Sequence, residues 1–194
     1  MNYDNDFYVT GAKVGKPAPK FEMEAVMPKG DFIDRFGTVN LDELLDAGKW
    51  VVLYFYPLDF TFVCPTELQR FNQLNAKFEE LGAVLVATST DSVFSHLAWQ
   101  DRKDLGRLNH IHASDNNHVV SEAYGVLDDE KGLAWRGTFI IAPNGTLKAA
   151  HVNHGEGGRN VDEVLRTLEV FQNEMAGKLV PCGWTPGNDF LEKK

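Results

Sequence analysis

The sequence predicts an α/β domain built in three layers, with a mixed central sheet between helices. Two observations carry this. Continuously apolar, β-branched runs alternate with helix-period segments along the chain, and two late strand signals flank a tight-turn sequence that would add an antiparallel hairpin. A chain of 194 residues fits one domain. Such a domain buries roughly 70% of the surface its unfolded chain exposes, so neither disulfide nor metal is needed for a core.

The run KWVVLYFY, from Lys49 to Tyr56, reads as a strand buried on both faces, and Pro57 ends it. After Cys64-Pro65, the apolar residues Leu68, Phe71, Leu74, Phe78 and Leu81 recur at helical steps until Gly82. Ala83 to Thr88 is a second buried strand. Val93 to Asp101 reads as a helix with Phe94, Leu97 and Ala98 on its apolar face, and His118 to Tyr124 as a short helix closed by Gly125. Thr138 to Ala142 and Leu147 to Val152 flank Pro143-Asn144-Gly145-Thr146, the hairpin signal. Val161 to Met175 reads as a helix with Val161, Val164, Leu165, Leu168 and Phe171 facing inward, stopped by Gly177. Two prolines and two glycines in the stretch that follows make it a tail. The expected division is a domain over residues 1–176 and a tail over 177–194.

A net charge of −9 repels phosphate backbones, and no basic stripe overrides it, so neither nucleic acid nor an anionic membrane is an expected partner. The opening stretch MNYDNDFYVTGAKVGKPAP lacks the apolar core of a signal peptide. No apolar run approaches the roughly 20 residues of a membrane-spanning helix. The expected location is the cytoplasm, where two cysteines do not form a permanent staple. Cys64 and Cys182 lack cysteine neighbours, which excludes a C-x-x-C redox pair and a Cys-rich zinc site. A general disulfide oxidoreductase is disfavoured for the same reason.

Cys64 follows a buried strand and a short loop, and it opens a helix. Pro65 suits the first helical turn. Glu67 is placed to reach back to the cap backbone, with Cys64 at the cap. The positive end of the helix dipole there favours a thiolate. That alone does little for catalysis. Lowering a thiol pKa from about 8.5 to about 6 raises the thiolate roughly 30-fold at pH 7, and the accompanying loss of nucleophilicity removes roughly 10-fold of the gain. Reaction with a peroxide needs donors for the breaking O–O bond. The Thr61 hydroxyl and the Arg136 guanidinium, at the mouth of a later strand, supply them, while Pro57 rigidifies the loop entrance.

Pro57-x-x-x-Thr61-x-x-Cys64, followed by Pro65-Thr66-Glu67, resembles the active-site signature of the typical two-cysteine peroxiredoxins, the group that includes the bacterial alkyl hydroperoxide reductase C subunit. TSTDSVFSHLAW at 88–99, YGVL at 124–127, RGTFIIAPNG at 136–145 and VDEVLRTLEVFQ at 161–172 extend the likeness over nearly the whole chain. The resemblance implies a thioredoxin-like fold and casts Cys64 as the peroxidatic cysteine, oxidised to a sulfenic acid, in a pocket shaped by Pro57, Thr61 and Arg136. It implies that Glu67 orients the active-site arginines, with Arg159 a candidate second one. Cys182 would be the resolving cysteine, closing a disulfide with Cys64 of a partner subunit. A homodimer follows, with rings of five dimers common in the group. No metal, haem or flavin is required in this chain. The electron donor would be thioredoxin or a flavoprotein disulfide reductase, and the substrates hydrogen peroxide and organic hydroperoxides. A peroxide sensor or holdase chaperone on the same scaffold stays open as a second role.

Two departures from the group stand out. Val180-Pro181-Cys182 replaces the common Val-Cys-Pro order. Members prone to inactivation by excess peroxide carry Gly-Gly-Leu-Gly and a terminal helix with Tyr-Phe. Here Lys103-Asp104-Leu105-Gly106 stands at the first position, and no Tyr-Phe precedes Lys194. The expectation is a tail that unfolds easily, so that disulfide formation outruns overoxidation.

The six histidines do not offer a ligand spacing for metal, and His110 and His112 are expected on the polar face of a strand. Gly155-Glu156-Gly157-Gly158-Arg159 lacks the last glycine of a nucleotide loop and reads as a turn.

Overall fold

The computed structural model describes residues 11–192, so the first ten residues of the stretch inspected for a leader, and Lys193 and Lys194 at the end of the tail, lie outside the described residues. In chain order the elements are β1 (Glu22–Val26), a 3-10 turn (Phe32–Arg35), β2 (Phe36–Asn40), α1 (Leu41–Asp46), β3 (Trp50–Phe55), α2 (Cys64–Glu80), β4 (Ala83–Ser89), α3 (Val93–Gln100) and β5 (Ile111–Ser114). There follow α4 (Val119–Ala123), the short pair β6 (Leu127–Asp128) and β7 (Leu133–Ala134), β8 (Arg136–Ile141), β9 (Leu147–Asn153) and α5 (Val161–Met175).

Seven strands form one sheet in the order β2-β1-β5-β4-β3-β8-β9. The β3, β4 and β5 strands run parallel, and β1 and β8 join them antiparallel on either side. The sheet is therefore mixed, as the sequence predicts. All six residues of β3 are buried. Their side chains alternate between two cores: Val52 and Tyr54 pack with Leu68 and Phe71 of α2 and with Val164 and Leu168 of α5, while Val51, Leu53 and Phe55 pack with Leu41 of α1 and Val120 of α4. A strand covered on both faces has no polar positions, which is why its apolar run is unbroken.

The hairpin between β8 and β9 forms where expected. Gly145 takes φ +80 and its N–H donates to the Ala142 carbonyl at 2.8 Å, a left-handed position that glycine fills without strain. The β1–β2 hairpin carries no comparable signal. Its strands alternate exposed Glu22 and Glu24 with buried Met23 and Ala25, and the connection includes the 3-10 turn.

The expected inward face of α3 is corrected. The α3 helix buries Val93, His96, Leu97, Trp99 and Gln100, whereas Phe94 is 71% exposed and Ala98 also faces outward. Its inward face carries polar groups that find buried partners, so apolar periodicity points the wrong way. The tail, not part of either main core, does make local contacts. Trp184 is buried and stacked on Phe190, its indole N–H donates to the Asn188 carbonyl, and its own carbonyl accepts from Arg166 of α5. Among the described residues, no helix is long and apolar enough to cross a membrane.

Candidate active site

Cys64 is the first residue of α2 and is 1% exposed. The cap position belongs to Val63, which offers no side-chain hydrogen bond, and Pro65 follows in the first turn, where no intrahelical donor is required. The capping box expected of Glu67 does not form. Its carboxylate turns to two buried guanidiniums, and charge-assisted bonds to these outcompete a backbone N–H.

Arg136 opens β8. Its Nη1 donates to Cys64 Sγ at 3.3 Å and to Glu67 Oε2 at 2.8 Å. Arg159 lies in the loop before α5 and gives Glu67 Oε1 its backbone N–H at 2.7 Å and its Nε at 2.9 Å. It also donates to the Gly137 carbonyl at 2.9 Å, to Thr138 Oγ1 at 3.0 Å and to the Phe55 carbonyl. Its guanidinium covers the Tyr54 ring at 5.3 Å. Gly137 permits the close packing of β8 here, since a Cβ would stand 2.8 Å from Val126 Cγ1 and from the Phe139 ring. Glu67 thus ties β8 and the loop before α5 to the first turn of α2.

The side chains of Arg136, Arg159 and Glu67 are each at most 4% exposed. Glu67 stands between the two guanidiniums, and Arg136 Nη2 also reaches the exposed Glu156 carboxylate at 3.4 Å. Burial opposes the Arg136 charge, but hydrogen bonding and Coulomb attraction from Cys64 and Glu67 outweigh it and hold the guanidinium above its ordinary range. Its Nε is buried with no partner among the described residues, a donor left over in the guanidinium that touches the sulfur.

Of the other residues singled out in the sequence, Pro57 and Thr61 belong to the loop between β3 and Cys64, and Cys182 to the tail. Pro57 is half-buried in the loop after β3. The Thr61 hydroxyl donates to the Leu58 carbonyl at 3.0 Å, which commits its proton but leaves its lone pairs free to accept. Cys182 is exposed on the tail, and both cysteines are free thiols in the single chain. Arg159 emerges as the main organiser of Glu67. Its signal in the sequence is faint, an arginine after a glycine-rich turn.

The histidines are not where the sequence puts them. His110 and His112 are buried, the first bonded to the Tyr54 hydroxyl at 2.7 Å and the second to the Tyr56 hydroxyl at 2.5 Å. Tyr54 of β3 and Tyr56 just after it each bond one ring nitrogen, although His110 Nδ1 stays buried without a partner among the described residues, so a polar pattern does not mark a wet face. Asp59, His96 and His112 gather closely enough to hold a metal ion. The spacing argues against it. Asp59 Oδ2 and His96 Nδ1 lie 2.8 Å apart, a hydrogen-bond separation. Two donors bonded to one tetrahedral metal at about 2.0–2.1 Å stand roughly 3.3 Å apart.

The family model described as "AhpC/TSA family" matches residues 14–150. The chain is 48% identical to a putative peroxiredoxin, YkuU, of Bacillus subtilis over 92% of this chain and 97% of that protein. It is 44% identical to a thioredoxin peroxidase of Trypanosoma brucei rhodesiense, over 93% and 90% of the two chains. Among solved structures, the reduced 2-Cys peroxiredoxin of Plasmodium vivax superposes with a TM-score of 0.84 at 38% identity, covering 91% of each chain. AhpC of Mycobacterium tuberculosis gives 0.76 at 39% identity, over 84% of this chain and 95% of that one.

Proposed function

This chain belongs to the AhpC/TSA family and is a peroxiredoxin, a peroxidase with the thioredoxin-like fold, and on that premise we propose that Cys64 is its peroxidatic nucleophile. The Cys64 thiolate attacks one oxygen of a hydroperoxide. The S–O bond forms as the O–O bond breaks, and the departing oxygen leaves as water or an alcohol after taking a proton. Cys64 is then a sulfenic acid. The single observation that carries this reading is the Arg136 hydrogen bond to Cys64 Sγ, made by a guanidinium that keeps one buried donor unpartnered. A donor already in place costs no reorganisation as charge builds on the leaving oxygen. Thr61, with lone pairs free, accepts a hydrogen bond from the peroxide O–H, and Pro57 shapes the loop.

Cys182 of a second subunit is the resolving thiol. Its sulfur attacks the sulfenic sulfur, water leaves, and an intersubunit disulfide remains. The burial of Cys64 and the exposure of Cys182 support a step in which the first turn of α2 opens. An external dithiol, thioredoxin or a flavoprotein disulfide reductase, returns both thiols, a reading supported by the thioredoxin peroxidase relative. The same proposal divides the chain into a peroxidase domain over 1–176 and a resolving tail over 177–194. It includes hydrogen peroxide and organic hydroperoxides as substrates, a cytoplasmic antioxidant role, and a homodimer assembling as five dimers.

One equivalent of hydrogen peroxide added to the reduced protein tests the proposal. Non-reducing electrophoresis and peptide mass spectrometry should find a dimer cross-linked from Cys64 to Cys182. A Cys64 that remains a free thiol while peroxide is consumed would refute it.

A further inference from the structure

Beneath the loop that leads to Cys64, buried polar side chains form one chain of hydrogen bonds whose direction is fixed at both ends. Arg35 can only donate, and its Nη2 meets Gln100 Oε1 at 2.6 Å. The same oxygen accepts the Leu108 N–H at 3.1 Å, so the Gln100 amide has one orientation, with Nε2 donating to His112 Nδ1 at 3.1 Å. Burial, aided by the neighbouring histidines and Arg35, keeps His112 neutral, and its one ring proton therefore lies on Nε2. That proton goes to Tyr56 Oη at 2.5 Å, and Tyr56 donates its own to Asp59 Oδ1 at 2.5 Å.

At the far end the Ala113 carbonyl can only accept, so His96 Nε2 donates to it at 3.0 Å. The two halves meet between Asp59 Oδ2 and His96 Nδ1, 2.8 Å apart, with both side chains 0% exposed. One proton must lie between these atoms. Whether it is drawn on the acid or on the ring, every donor in the chain has an acceptor.

Asp59 belongs to the loop between β3 and α2. Its backbone N–H is held by Asp91 Oδ2 at 2.9 Å, and Ser89 Oγ donates to the same oxygen at 2.7 Å. The next residue, Phe60, takes φ +58. A bulky residue persists in that left-handed region only where its surroundings over-determine it. Three anchored groups on Asp59 do so here, and the segment they fix carries Thr61 and ends at Val63, the cap of the Cys64 helix.

We propose that Asp59 is a positioning residue for the peroxidase reaction: the proton-ordered chain from Arg35 to Ala113, closed by the proton shared with His96, pins the 59–63 loop and sets Thr61 and Cys64 in reacting position. The inference rests on Cys64 being the reacting thiol. It adds His112, Tyr56 and His96 to the reaction through Asp59, although none of them touches the peroxide.

Asp59→Asn and Asp59→Ala separate geometry from bulk. The asparagine side chain can accept from Tyr56 and donate to His96 Nδ1, so it preserves the chain, whereas alanine breaks it. Asp59→Ala should slow the reaction with hydrogen peroxide by about tenfold or more and speed amide exchange of residues 59–64 alone by a similar factor. Asp59→Asn should restore both to within about threefold. Nitrogen NMR of the wild-type histidines gives a readout that does not depend on any variant folding. It should find His112 neutral with its proton on Nε2, and His96 engaged at both nitrogens. An Asp59→Ala rate within about twofold of wild type overturns the inference, as does Asp59→Asn behaving like Asp59→Ala. So does a His112 proton on Nδ1, or a stoichiometric metal ion bound at His96 and His112 in the purified protein. Turnover surviving Cys64→Ser would overturn both this inference and the peroxidatic reading. Turnover lost in Cys64→Ser with a normal rate in Asp59→Ala would overturn the role of Asp59 alone.

Discussion

The Arg136 guanidinium donates to the Cys64 sulfur at 3.3 Å from the same nitrogen that donates to Glu67 at 2.8 Å. One planar group, locked by a carboxylate, thus presents a fixed positive donor to the sulfur. A lysine ammonium is a compact charge on a flexible stem and cannot keep this fixed orientation. Arg136→Lys should lower the second-order rate constant for hydrogen peroxide by roughly 10²-fold, the scale seen when a preorganised donor is lost. Stopped-flow measurement of tryptophan fluorescence on mixing with peroxide checks it.

Glu67 is 2% exposed at its side chain and neutralises one of two buried guanidiniums. Removing it takes the carboxylate from Arg159 and leaves Arg136 the exposed Glu156, 3.4 Å from its Nη2. Glu67→Ala should destabilise the fold by about 3–5 kcal/mol, the range for breaking a buried pair from one side. Urea unfolding at constant ionic strength measures this.

The carboxylate also marks how far the sequence could be read. Alternating buried strands and helices, the hairpin at Gly145 and the placement of Cys64 at a helix start are all legible because each depends on local periodicity or turn chemistry. Glu67 is misread as a capping residue, since its true partners stand 69 and 92 positions away. His110 and His112 are misread as exposed because their partners, Tyr54 and Tyr56, sit in an apolar run two strands away. The inward face of α3 is missed for a related reason: His96 and Gln100 are buried among polar partners supplied by other elements. Local pattern locates elements, and long-range polar pairing decides which face turns inward.

His110 gives the pH prediction. Burial pushes it down to about 3 from an ordinary 6.5. The folded chain keeps it neutral while the unfolded chain binds a proton below 6.5, so unfolding takes up protons and stability falls as pH drops from about 6.5 towards 3. The slope is about 1.4 kcal/mol per pH unit well inside that window, and His112, lowered in the same direction, adds to it. Glutamine at 110 can still accept from Tyr54 without titrating. His110→Gln should make the dependence shallower by about 1.4 kcal/mol per pH unit, measured by urea unfolding between pH 4 and 6.

Cys182 lies exposed on a tail tied to α5 by the Arg166 hydrogen bond to the carbonyl of the buried Trp184. With a resolving thiol on so light an anchor, the wild-type protein should form its disulfide before a second peroxide arrives and retain activity through several turnovers at millimolar peroxide. Cys182→Ser should yield no cross-linked dimer, and its Cys64 should pass to the sulfinic acid under the same conditions. Intact mass spectrometry distinguishes the two oxidation states. Rapid sulfinic acid formation in the wild type would refute the expected resistance.

Replacement of Cys64 by serine, assayed for hydrogen peroxide consumption with excess dithiol, is the most direct test of the peroxidatic assignment. Serine keeps the size of the buried side chain and the helix start while removing the sulfur that Arg136 bonds. The predicted result is a folded protein with no peroxide consumption above the dithiol background. Turnover at or near the wild-type rate would contradict the assignment.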